Sequence, residues 1–97
     1  MKKILDLFEL RDEAISKQNK DLFLSTQFEF KEIKNSSSKD YLALSELNSE
    51  VLHVVVEDGS YIVMVAETRY KNKKESHAYL LYYIREEEGS YFIYDMK

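Results

Sequence analysis

Between Val51 and Met96 the chain reads as four β-strands joined by three short turns. Parallel strands need a crossover of a dozen or more residues, and these connections are far too short for one, so this half must form an antiparallel meander. The segments Val51–Glu57, Tyr61–Tyr70, Ser76–Glu86 and Tyr91–Met96 are rich in β-branched and aromatic residues, which suit a pleated, packed surface. Asp58-Gly59 is the strongest hairpin signal, because a two-residue type I′ turn needs positive φ at both positions. Lys71-Asn72-Lys73-Lys74 and Glu87-Glu88-Gly89 supply the other two turns, and the chain holds no proline to interrupt a ladder.

Turns centred on Asp58-Gly59, Asn72-Lys73 and Glu88-Gly89 sort the side chains into two sets. One face holds Val51, His53, Val55, Ile62, Met64, Ala66, Thr68, His77, Tyr79, Leu81, Tyr83, Phe92 and Tyr94. The other holds Leu52, Val54, Val56, Tyr61, Val63, Val65, Ala78, Leu80, Tyr82, Ile84 and Ile93. Both faces are apolar, whereas a half-solvated sheet shows polar residues on one of them. The helices available in so short a chain cover one face only. An uncovered apolar face of several hundred Å² marks an interface, most economically with a second copy about a two-fold axis. The expected interface is Val54, Val56, Val63, Val65, Leu80, Tyr82 and Ile84. The expected binding set, on the opposite face, is Tyr79, Tyr83, Tyr94, His53 and Met64.

The first half is helical. From Lys2 to Ser16, residues Ile4, Leu7, Phe8, Leu10, Ala14 and Ile15 recur at helical spacing, with charged residues between them. Asn19 is placed to cap a short second helix through Leu22, Phe23 and Leu24. Phe28 and Phe30 alternate with charged residues as in a short strand, and Asn35-Ser36-Ser37-Ser38 reads as a loop. Ser37 and Asp40 resemble a capping box before a third short helix through Tyr41, Leu42, Leu44 and Leu47. The expected fold is therefore α+β over residues 1–97, one domain, with N-terminal helices packed on a curved four- to five-stranded antiparallel meander sheet.

That element order resembles the NTF2-like superfamily, whose members fold as a cone with a curved sheet wrapped around the helices. The residues that carry the resemblance run from Leu7-Phe8-Glu9-Leu10-Arg11-Asp12-Glu13-Ala14-Ile15 through Lys20-Asp21-Leu22-Phe23-Leu24-Ser25. An amphipathic first helix ends there in a polar turn, followed by an acidic residue and a Leu/Phe pair. The resemblance implies a pocket between helices and sheet, and dimerisation through the sheet. The Asp, or His–Asp pair, used by the isomerase and dehydratase branches has no counterpart that can be placed residue by residue, so no catalytic role carries over.

Composition narrows the function classes. Acidic residues outnumber basic ones 18 to 14, and the only basic run is a turn tip, so no phosphate-backbone groove and no nucleic-acid partner is expected. The absence of cysteine excludes disulfides and thiolate chemistry. Gly59 and Gly89 are both spent in turns, which leaves none for a phosphate loop, and no cofactor or metal is expected. Asp6, Glu9, Arg11 and Asp12 interrupt the apolar run that begins at Ile4, so the reading is cytoplasmic with no membrane span.

The candidates for chemistry are few. His77 with Tyr79 could form an acid–base pair if both lined an apolar cavity. The plainer reading is a strand histidine with one hydrogen bond. Glu67, or Asp95 opposite Tyr82 in this register, invites a buried-acid reading, but such residues are more simply solvated or paired at strand ends, Glu67 with Arg69 or Arg85 with a neighbouring glutamate. Eight tyrosines suit interfaces and pocket walls, since each buries a ring and keeps a polar tip. The leading reading is a non-catalytic binding or protein-interaction module that dimerises through a Tyr-rich sheet face and has room for a small hydrophobic ligand or protein partner. The rivals are a small isomerase, dehydratase or cyclase with a His/Tyr-lined cavity, and an acidic inhibitor or immunity protein.

Overall fold

The structure, a computed structural model, describes residues 2–26 and 41–96. Helices α1 (Lys2–Ser16) and α2 (Lys20–Ser25) precede strands β1 (Glu46–Glu57), β2 (Ser60–Lys71), β3 (Lys74–Glu87) and β4 (Ser90–Met96). The strands form one antiparallel sheet in the order β1-β2-β3-β4, the expected meander. All three turns fall where the residues place them. Asp58 and Gly59, Asn72 and Lys73, and Glu88 and Gly89 all have positive φ, as type I′ turns require.

Helix α1 buries Ile4, Leu7, Phe8, Arg11, Ala14 and Ile15, a stripe with spacings of three and four. Its first half packs on Val63, Val65, Tyr82, Ile84 and Ile93. Its second half joins Phe23, Leu24, Tyr41, Leu44 and Leu47. The helix ends at a polar turn in which Gln18 takes positive φ. Asn19 then caps α2 as expected, its side chain accepting from Leu22 N–H at 3.1 Å.

Four expectations need correction. Leu10 lies on the exposed side of α1, and Arg11 takes the buried position beside it. The first strand begins at Glu46 rather than Val51: Tyr41 and Leu42 are helical, but Leu47 belongs to β1 and not to a third helix. Backbone pairing with the long β2 recruits this polar stretch, which alternation of side chains alone does not reveal. A bulge between Val51 and His53 sets Val51 opposite Val65, on the helix side, and leaves Leu52 as the extra residue. A second irregularity sets Asp95 opposite Tyr83 instead of Tyr82, with Tyr94 as the inserted residue. The expected strand at Phe28–Phe30, the loop at Asn35–Ser38 and the capping box at Ser37–Asp40 lie outside the described residues.

Candidate functional site

The expected roles of the two sheet faces are exchanged. Val63, Val65, Tyr82 and Ile84, nominated as the interface, are fully buried in the chain's own core, with Val54 and Leu80 packed against them. The helices lie on this face because α1 presents its stripe there. Of the nominated interface set only Val56 is open to solvent, at 68 % exposure.

The nominated binding residues lie together on the outer face. Across it Val55 stands opposite Ile62 and Ile62 opposite Tyr83; His53 faces Met64 and Met64 faces Leu81; Ala66 faces Tyr79. Tyr94 joins this patch, its ring 6.3 Å from that of Tyr83 and 5.4 Å from the Arg85 guanidinium. Met64 is 42 % exposed and Tyr79 77 %. The rim is polar: His77 Nε2 lies 2.8 Å from Glu75 and its Nδ1 lies 3.3 Å from Thr68 Oγ1, while Arg85 pairs with Glu87 at 3.3 Å. The outer face thus has an apolar, aromatic centre inside a polar rim. His77 and Tyr79 are neighbours on an open surface rather than in a cavity.

Beneath the covered face lies a polar cluster that the sequence reading missed. Glu67 is buried on β2, on the same side as Val63 and Val65. Its carboxylate accepts from Tyr41 Oη at 2.5 Å, from Arg69 Nε at 3.1 Å, from Tyr82 Oη and from Arg11 Nη1 at 3.5 Å. Arg69 Nη2 also donates to Tyr41 Oη at 2.8 Å. Arg11 is boxed by rings, its guanidinium carbon 4.3 Å from the centre of Tyr41, 4.9 Å from Tyr82 and 5.6 Å from Phe23. Among the described residues Arg11 Nε has no hydrogen-bond partner.

This cluster is built to hold charge still. Donors occupy both carboxylate oxygens of Glu67, so no lone pair is left aimed at a substrate, as a general base would need. Burial, the largest influence, pushes the Tyr41 hydroxyl up to about 12, so it stays protonated and keeps donating. Beside the cluster, Asp12 of α1 accepts from Ser49 N–H at 2.8 Å and Ser49 Oγ at 2.7 Å, tying the helix to β1. Burial raises Asp12 to about 6 against the opposing pull of these hydrogen bonds and of Arg11. The signals for the cluster were an arginine at helical spacing from Leu7 and Phe8, and a glutamate two residues beyond Val65 on the same strand face.

A cleft of about 330 Å³ lies between α1, the end of α2 and the β3–β4 turn, lined by Leu7, Leu10, Thr26, Tyr91 and Phe92 among others. A smaller one of about 220 Å³ lies by Ile15, Gln18 and Leu42. None of the nominated binding residues lines either. Among the described residues no group of three or more His, Asp or Glu side chains could hold a metal ion, and no helix is long and apolar enough to cross a membrane.

No protein-family model matches the chain, and no curated protein sequence does. Solved structures do. An NTF2-like protein of unknown function from Shewanella oneidensis MR-1 superposes with a TM-score of 0.77 at 11 % identity, covering 95 % of this chain and 92 % of its own. The designed protein Rd1NTF2_05 with long sheet gives 0.66 at 10 % identity over 98 % and 94 %. A SEC-C motif containing protein from Rhodopseudomonas palustris gives 0.67 at 13 % identity over 90 % and 71 %. The fold is NTF2-like.

Proposed function

We propose that this chain of NTF2-like fold is a non-catalytic protein-interaction module whose docking surface is the outer sheet face centred on Met64, Tyr79, Tyr83 and Tyr94. The observation that carries the reading is the contrast in how ionisable and apolar groups are disposed. The buried acid is fully engaged by two arginines and two tyrosines, while large apolar side chains stand exposed together on the opposite face. Water-exposed apolar patches of this kind are interaction sites, and a self-complementary patch makes a second copy the most economical occupant.

Sedimentation of the purified chain at high micromolar concentration tests this, with a dimer as the expected species. Met64→Glu should abolish the face contact, because it buries a carboxylate without a partner in the interface, and should leave the far-UV circular dichroism unchanged. The affinity should vary little with salt, since the contact is apolar at its centre. Strong salt dependence would favour an acidic surface acting on a basic partner. A wild-type chain that sediments as Met64→Glu does would remove the face contact from consideration.

A further inference from the structure

Strand β1 lies at one edge of the sheet, and its two halves differ. Before the bulge, the outward N–H of Ser49 is taken by Asp12. Beyond it, no element among the described residues pairs with the outer edge of His53–Glu57. The two-residue turn at Asp58-Gly59 makes Glu57 and Ser60 a hydrogen-bonded pair. Alternation along an antiparallel ladder then turns the backbone groups of Val55 and His53 toward β2, and those of Val54 and Val56 outward. Edge strands are usually protected by lysine, proline or charge. Beyond the bulge, His53-Val54-Val55-Val56 holds no lysine, proline or carboxylate, and Val55 and Val56 are exposed.

We propose that this edge pairs with the same segment of a second copy, antiparallel about a two-fold axis through Val55. Val54 then forms a hydrogen-bonded pair with the partner's Val56, and Val56 with the partner's Val54, so every outward backbone group of the segment is satisfied. In the same register His53 stands opposite the partner's Glu57, and Glu57 opposite the partner's His53, all on the outer face. An imidazole that donates or carries positive charge thus meets a carboxylate twice. Centring the axis on Val54 instead would set Glu57 against the partner's Val51 and leave both His53 side chains facing valine. Charge complementarity therefore selects both the register and the occupant, because the segment complements itself and not a generic strand. This contact is separate from the one proposed for the outer face. It extends the sheet sideways and leaves Met64 and Tyr79 free.

The test uses the Met64→Glu chain, in which the face contact is absent, with association measured by sedimentation at millimolar concentration, above the high micromolar range in which the face contact is read. A dimer is expected. Adding Glu57→Lys sets a cation against His53 at two symmetric positions and should weaken association by about five- to tenfold. Adding His53→Glu to that variant exchanges the two partners and should restore it. As a second readout, the amide protons of Val54 and Val56 in the Met64→Glu chain should exchange more slowly as protein concentration rises. A Met64→Glu chain that stays monomeric, a charge exchange that fails to restore association, or exchange at Val54 and Val56 that ignores concentration would each overturn the edge pairing. A wild-type dimer unchanged by Met64→Glu would instead count against the face contact alone.

Discussion

On the inner side of β2 and β3, Val63, Val65, Tyr82 and Ile84 are sealed under α1; on the outer side of the same strands, Met64 and Tyr79 stand in solvent. The residue types on the two sides are nearly alike, so hydrophobicity does not distinguish them. Charge does. The covered side holds Glu67 and Arg11, while the open side keeps its ionisable groups around the rim, Glu50, His53, Glu57 and Asp95 on the edge strands and His77, Glu75, Arg85 and Glu87 toward the ends of β3. Helix α1 brings the counter-ion Arg11 to the buried carboxylate, and rings from α2, β3 and Tyr41 box that cation in; the uncovered sheet face has nothing comparable to offer. The comparison teaches that the open face is apolar at its centre because any charge placed there would have to wait for a partner molecule.

The sharpest way to break this contrast is to empty the covered side of its acid. Glu67→Ala leaves Arg11 and Arg69 without their shared anion beneath the helix, and should destabilise the fold by roughly 3–5 kcal/mol. The midpoint of urea unfolding reads this directly. A loss no larger than that of a surface substitution would mean that the buried pair is not held as described. Next in size is Tyr82→Phe, which removes one donor from Glu67 and keeps the ring against Phe8. A cost of about 1–3 kcal/mol is expected for a buried acceptor left short of a partner. Hydrogen exchange along β3 should locate that loss in the sheet.

A smaller effect depends on pH and concerns the seam between α1 and β1. Asp12 is raised from 3.8 to about 6 in the folded chain, so the folded state holds this proton more tightly than the unfolded one. The stability Asp12 contributes is therefore present below its unfolded pKa and is lost as pH rises from about 4 to about 6, the reverse of an ordinary salt-bridged carboxylate. Asp12→Asn does not titrate. The difference in urea midpoint between wild type and variant should shift in the variant's favour across that window and stay constant above it. A difference that is flat from pH 4 to pH 7 would show that Ser49 offsets the burial completely.

How much of this was legible in the sequence follows from which signals are local. Alternation and turn chemistry act over a few residues, and they set the four strands, all three I′ turns, the extent of α1 and the Asn19 cap. The bulges at Leu52 and Tyr94 were invisible because each changes the face of a few side chains without changing composition. The start of β1 at Glu46 was hidden by polar residues whose pairing partner lies on β2. Glu67 was read as a surface partner of Arg69, and Arg11 only as a charge interrupting the apolar run; their pairing joins positions 56 residues apart and exists only once α1 lies on the sheet. The assignment of faces failed for the same reason. Alternation defines two sets of residues, but only the stripe on α1 decides which set is covered.

The smallest expected effect sharpens the comparison from the open side. Tyr79→Thr puts another residue of good strand propensity in β3 and removes a ring that is 77 % exposed, so the chain alone loses almost no buried area. Its unfolding midpoint, measured at a concentration low enough to keep the chain monomeric, should move by no more than about 0.5 kcal/mol. The same substitution should weaken self-association at high concentration, because the ring gains its burial only when the face is covered. Stability and association would then be separable at a single residue on this face, whereas at Glu67 any change to association would arrive through unfolding. If Tyr79→Thr destabilises the monomer as much as Tyr82→Phe does, the outer face is part of the core after all, and the distinction between the two sides collapses.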